Sequence, residues 1–358
     1  MAGAGEINEV RARRHAGIES AARNGREYSK RLGVLTHAQL QAALSRFELG
    51  EILGAEPAQG GMFGQNVMLR TTSGEWVLRG AQHSYRQFPS ERCYSRLIHE
   101  RTETDAPWPY LLERSTELFG WSYALMPRIP GVALNDPGVQ DSLAPDARME
   151  IARAMGEHLG RLQSATWDQP GDFSYEADSI VALSQPYSEW FETRVRRWLA
   201  QCLEATATTG ATTEHDVAWV ESVIDEARDA LEEPFEPVIV HTDYTEGNVV
   251  GEPDEDGNWR VNGIFDLAES YIGDGEYDLA RSGAWYWQRL GPVGLQGFVQ
   301  AYTARRPLRP GYEQRFPLYM LQDRLIFWEY GQRNKMWFRP GLTLRAWAAP
   351  AVEITLPV

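Results

Sequence analysis

The side chains with the clearest chemistry stand between residues 238 and 266. The run VIVHTDYTEGNVV carries an apolar strand, Val238–Val240, into a loop that presents His241 and Asp243, and Asn248 follows five residues after that Asp. A turn rich in Asp and Gly, PDEDGNW, reverses the chain into VNGIFDLAES, where a second strand ends at Phe265 and Asp266 emerges at the same edge as Asn248. Three oxygen-bearing side chains are thus expected at one mouth. Phosphoryl transfer needs that set: a carboxylate beside an acceptor hydroxyl, and hard oxygen ligands that hold magnesium against phosphates. Asp243 suits the first task, Asn248 and Asp266 the second. Singly, each is also an ordinary turn-forming residue. The His-x-Asp-x4-Asn spacing, with a strand leading to Asp266, is what favours the chemical reading. His241 is read as a hydrogen-bonding scaffold rather than as an acid or base.

The elements that must position this loop divide the chain in two. Thr36 stands three residues before Gln39 as a capping pair, and Leu40, Leu44 and Phe47 recur behind it at helical spacing. The segment from Phe47 to Gly80 then breaks into short apolar runs separated by glycine-rich turns, which predicts antiparallel strands, with a hairpin at Ser73-Gly74 and Val67, Leu69, Trp76 and Leu78 on one face. Ser90 is expected to cap the next helix, and WSYALMPRIPG reads as a strand running into a linker. Beyond Gly131 long helical patterns prevail, such as MEIARAMGEHLGRLQSA and EWFETRVRRWLAQCLEA, and ATATTGATT at 205–213 reads as an exposed loop. The expected architecture is α+β: residues 1–35 a helical or ragged extension, 36–128 a lobe built on an antiparallel sheet, and 129–358 a mainly helical lobe.

Composition supports two lobes and excludes several partners. The 358 residues, 43% of them hydrophobic, exceed what one core usually sustains. A formal net charge of -15 argues against nucleic acid and anionic membrane surfaces. The arginines of the first 35 residues are interspersed with Glu6, Glu9, Glu19 and Glu27, which reads as a solvated face. Two cysteines, Cys93 and Cys202, in no metal or disulfide spacing, and no apolar run long enough to span a bilayer, suggest a soluble protein in the reducing cytoplasm.

HTDYTEGN followed by IFDLAESYIGDGEYDLA resembles the catalytic and metal-binding signature of the aminoglycoside phosphotransferase and choline kinase-like family, relatives of the protein kinases. The resemblance implies a bilobal, protein-kinase-like fold, Asp243 as the catalytic carboxylate, Mg2+ on Asn248 and Asp266, and ATP or GTP as donor. It extends to GGMFGQNVMLR, where Gly60 and Gly61 would let backbone amides approach phosphate, and to WVLRG, which places Arg79 where many kinases have Lys. Glu91 would pair with Arg79, and ALMPRIPG, with Met126 and Arg128, would receive the purine edge. Departures are Thr242 where Gly is common, Leu267 where an aromatic is frequent, and Gln163 where a His usually closes its helix. Asp278 matches a structural Asp and is expected to cap a helix.

The acceptor is less legible. Glu269, Glu276, Asp323 and Glu329 lie among many aromatics, which predicts an acidic cleft for a small cationic compound, and the aromatic segments resemble hygromycin-type phosphotransferases more than choline kinases. Aminoglycosides or aminocyclitols are the first expectation. Macrolides or metabolites such as homoserine are alternatives, as is a catalytically silent nucleotide-binding module. No activation segment ending in Ala-Pro-Glu follows Asp266, which argues against a protein kinase.

Overall fold

Period-two and period-3.6 patterns segregate in space as they do in sequence. The computed structural model describes residue 33 and residues 35–58, 65–81, 87–335 and 341–354; Gly60, Gly61 and nearly all of the N-terminal extension lie outside these. Helix α1 (His37–Ser45) opens with the expected capping box, Thr36 and Gln39 each bonding the other's backbone N–H. Leu40, Ala43 and Leu44 pack onto a sheet of β1 (Ile52–Pro57), β2 (Gln65–Thr71), β3 (Gly74–Ala81), β4 (Leu111–Glu113) and β5 (Ser122–Pro127). Its order is β1-β2-β3-β5-β4, antiparallel throughout. Val67 opposes Leu78 and Leu69 opposes Trp76, so these four share the face that meets α1. Each large side chain fully buried there contributes about 1.5–3 kcal/mol.

Helix α2 (Gln87–Arg101) starts four residues earlier than a cap at Ser90 would give. Ser90 therefore lies within its first turn, and instead of capping it donates its hydroxyl to the carbonyl of Ala268 in the other lobe, at 3.2 Å.

In the second lobe β6 (Val132–Ala133), β10 (Val249–Pro253) and β11 (Trp259–Ile264) form one small sheet. Strands β7 (Gly171–Ser174), β8 (Ser179–Ala182), β9 (Val238–Val240) and β12 (Tyr271–Gly273) form another, in the order β8-β7-β12-β9. Helices α3 (Pro137–Ser142), α4 (Pro145–Leu162), α5 (Tyr187–Ala205), α6 (Glu214–Glu232), α7 (Glu276–Thr303), α8 (Tyr312–Asn334) and α9 (Leu344–Val352) surround them. The α4 stripe of Ile151, Met155, Leu159 and Leu162 faces the shared core. Helix α4 meets α7 so closely that a Cβ on Gly156 would lie 2.1 Å from the Phe298 carbonyl oxygen. Between α5 and α6, the predicted exposed loop buries Thr206 and Thr212. Among the described residues no helix is long and apolar enough to cross a membrane.

Candidate active site

Strand β9 is fully buried and pairs with β12, so the chain leaving Val240 is delivered at a fixed point. Two backbone amides there, His241 N and Thr242 N, donate to the two oxygens of Asp278, at 2.6 and 2.9 Å. Asp278 was expected to cap its own helix; from the first turn of α7 it anchors this loop instead, and burial pushes its carboxyl up to about 6. Thr242 needs the anchor, because its φ of 70° is the left-handed region, which a β-branched residue occupies only at a cost of about 1–3 kcal/mol. The His241 ring Nε2 lies 2.9 Å from the Phe265 carbonyl, to which it donates, and Nδ1 then accepts from Asp243 N at 3.2 Å. His241 is thus the scaffold the sequence suggested.

A single 3-10 turn, Glu246–Asn248, ends the loop. Asn248 spends its amide nitrogen on the Asp243 carbonyl, at 2.8 Å, which leaves its amide oxygen as the group available to a cation. Phe265 N donates to Asn248 O at 3.0 Å, continuing the pairing of Val249 with Ile264. Asp266, the next residue, is therefore held beside Asn248, also at positive φ (65°).

From the first lobe Arg79 on β3 reaches this point. Its guanidinium lies 2.7 Å from Glu91 of α2 and 2.7 Å from Asp266, so the expected Arg79–Glu91 pair is formed and also spans the lobes. Glu91 is buried and accepts the Tyr110 hydroxyl at 2.6 Å. Burial pushes Glu91 up to about 7 against the pull of Arg79, while Glu91 and Asp266 outweigh burial and raise the Arg79 guanidinium. The linker at Met126 and Arg128 was expected to meet the purine through its backbone groups, and its side chains turn elsewhere. Met126 packs in the lobe core with Phe88, Tyr110 and Ala124, and Arg128 turns back to Glu75 at 3.1 Å.

A sequence profile of the phosphotransferase enzyme family matches residues 54–315, which include every residue of this site. The chain belongs to that family. It is similar to a homoserine kinase of Methylobacillus glycogenes, with 25% identity over 302 residues that cover 81% of this chain and 83% of the relative. In fold it is similar to a thermostable mutant of aminoglycoside phosphotransferase APH(4)-Ia solved with AMP-PNP and hygromycin B, at a TM-score of 0.61 and 18% identity over 88% of this chain and 97% of that one. It is also similar to aminoglycoside 2'-phosphotransferase-IIIa solved with GDP, at a TM-score of 0.58 and 13% identity over 88% and 96%. The protein is thus a small-molecule kinase, a phosphotransferase with a hydroxyl acceptor, and has the bilobal kinase-like fold that the motifs implied.

Among the described residues, three of the four carboxylates expected to form an acidic cleft in the phosphotransferase are instead consumed internally. Glu276 accepts Arg315 on one oxygen, at 2.7 Å, and Arg309 N on the other, at 3.0 Å. Asp323 lies between Arg281 and Arg324, and Glu329 takes Arg333 one turn along α8. All three are buried, and a buried carboxylate persists only when paired. Glu269 is half-buried beside the loop, its carbonyl accepting the Thr242 hydroxyl at 3.4 Å. Sequence reasoning missed Arg281, which donates to both Asp243 and Asp323. A signal existed: Arg281 stands three residues after Asp278, so the helix face that anchors the loop also carries Arg281.

Behind the loop, the phosphotransferase buries His158 as a neutral ring. Tyr244 donates its hydroxyl to Met155 O at 2.9 Å and lies 2.8 Å from His158 Nδ1, which therefore carries the proton, while Nε2 faces the Thr104 hydroxyl. Burial, then Arg161 and His241, lower this imidazole from 6.5 to about 3. A depressed folded value means that the contribution is complete above 6.5 and drains away toward about 3, because only the unfolded chain takes up the proton in that window. We expect His158→Gln to weaken the fold at neutral pH yet to flatten its acid dependence by roughly 1.4 kcal/mol per pH unit. Urea unfolding of both proteins across that window measures the difference; parallel curves would mean that His158 is charged in the fold.

Proposed function

We propose that the protein transfers the γ-phosphoryl group of ATP or GTP to a hydroxyl of a small molecule in a magnesium-dependent reaction, with Asp243 as the general base. The observation that carries this reading is the tie between Asn248 and Asp266. The Phe265–Asn248 backbone bond keeps the two residues on neighbouring strand ends, and Arg79, paired with both Glu91 and Asp266, ties Asp266 to the first lobe. One carboxylate and one amide oxygen suit Mg2+, which keeps waters and phosphate oxygens as its other ligands. Bound there, the ion would neutralise phosphate charge. Asp243 takes the acceptor's hydroxyl proton, the acceptor oxygen bonds to the γ-phosphorus, and the β–γ bridging oxygen leaves with the nucleoside diphosphate. Arg79 is proposed to turn from Asp266 to the phosphates when nucleotide enters.

For the acceptor, likeness of fold to the hygromycin B complex supports an aminoglycoside or aminocyclitol, and with it resistance by O-phosphorylation. A hydroxyamino acid is the second reading, favoured by the relative named homoserine kinase and by the pairing of the predicted carboxylates with arginines. Release of ADP or GDP, assayed with hygromycin B and with L-homoserine, tests both, and phosphorus NMR locates the transferred group. Asn248→Ala and Asp266→Ala are each expected to raise the magnesium needed for half-maximal turnover at least about tenfold. Wild-type magnesium dependence in either variant would remove that residue from the metal site. Absence of Asp243-dependent nucleotide turnover with every acceptor would sink the kinase reading.

A further inference from the structure

Arg281, on the second turn of α7, is clamped on both sides. One terminal nitrogen donates to Asp243 Oδ1 and the other to Asp323 Oδ1. Its side chain is only 10% exposed and its guanidinium stands 5.3 Å from the centre of the Phe327 ring. Asp323 is itself fixed, fully buried and accepting both Nε (3.0 Å) and a terminal nitrogen of Arg324 on its second oxygen. Arg324 lies 5.2 Å from the same Phe327 ring and 5.5 Å from Trp347. The order is thus Arg324, Asp323, Arg281, Asp243, running from the interior of α8 to the catalytic loop.

A carboxylate on a loop can rotate about its χ2 and present either oxygen, and a base that wanders by 1 Å can cost on the order of 10²-fold in rate. An arginine fork held from behind removes that freedom. We infer that Arg281, anchored by Asp323, is the positioning residue of Asp243: it occupies Oδ1 and leaves Oδ2 as the oxygen that receives the acceptor's proton. In that step the O–H bond of the acceptor breaks and its proton goes to Oδ2. The acceptor oxygen bonds to the γ-phosphorus, and the bridging bond to the nucleoside diphosphate breaks with its electron pair on the leaving oxygen. The inference rests on the proposed role of Asp243. Without that role, the Arg281–Asp323 pair would be a strut between α7 and α8.

The two meanings separate in a double-mutant cycle. Turnover of Mg·ATP and Mg·GTP, to water and to hygromycin B or L-homoserine, is measured for wild type, Arg281→Met, Asp243→Asn and the double variant, with thermal midpoints alongside. Arg281→Met is expected to lower kcat by about 10²-fold, with the nucleotide KM within roughly twofold. In the Asp243→Asn background the same change should cost almost nothing, because a residue that acts through Asp243 has nothing left to position. Arg281→Lys keeps the charge without the fork and should recover part of the rate, and it replaces Arg281→Met in the cycle should the latter not fold. Methylguanidinium should restore part of the turnover of Arg281→Ala and none of that of Asp243→Asn. Equal losses in both backgrounds, or an Arg281→Met rate within roughly threefold of wild type, would overturn the inference. A wild-type rate that Asp243→Asn leaves untouched would instead overturn the reading beneath it.

Discussion

Asp243→Asn is expected to lower turnover by about 10²- to 10⁴-fold, the usual contribution of a positioned general base. The substitution preserves shape. The amide oxygen can still accept Arg281, the backbone N–H keeps its bond to His241, and the backbone carbonyl keeps that from Asn248. What vanishes is the oxygen able to take a proton, since an amide nitrogen stands in its place. Nucleotide KM should barely change, because Asp243 is not proposed to touch the nucleotide. Steady-state kinetics at saturating magnesium decide the matter, and a rate within a factor of about three of wild type would make Asp243 structural.

The largest loss of stability is expected from Arg315→Met. Arg315 is fully buried, and its guanidinium bonds Glu276, the Ala230 and Pro310 carbonyls and, at 3.3 Å, the Arg309 carbonyl. Removing it takes the nearer cation from buried Glu276, which lies close to Asp274 and keeps Arg309 on its other oxygen, and breaking a buried pair from one side costs about 3–5 kcal/mol. Glu276→Leu on top of Arg315→Met should recover much of the loss, because two well-packed apolar groups can replace a buried pair. Urea unfolding supplies the measurement. Glu276→Gln should lower stability while leaving the acceptor's KM unchanged; a selective rise in that KM would return Glu276 to the acceptor site.

The contrast between Asp243 and Glu276 explains what the sequence could disclose. Asp243, Asn248 and Asp266 are joined by a five-residue loop and one hairpin, so spacing alone brought them near one another, and the β2–β3 hairpin and the Thr36 box were legible for the same local reason. Charge was legible too, but pairing was not. Whether a Glu faces solvent or an arginine depends on tertiary contacts such as Glu276–Arg315, made across 39 residues, and the acidic cleft failed on that point. Arg281 and Asp243 meet across 38 residues, and the one hint, its helical spacing from Asp278, becomes legible only once Asp278 is known to hold the loop. Ser90 was misplaced because a residue suited to capping also suits a bond across lobes. Asp278 was read as a helix cap because a first-turn carboxylate commonly serves its own helix, whereas here it serves two amides of another segment.

That division of Asp278 between helix and loop also governs local opening. Thr242 stays at a φ of 70° because both oxygens of one buried carboxylate hold the backbone around it. Unwinding of the first turn of α7 would withdraw the carboxylate, and the loop would relax to an extended conformation with release of its strain. The His241 and Thr242 amides can then exchange with solvent only when α7 frays, so catalytic loop and helix start behave as one cooperative unit, with a single opening free energy for two segments distant in sequence.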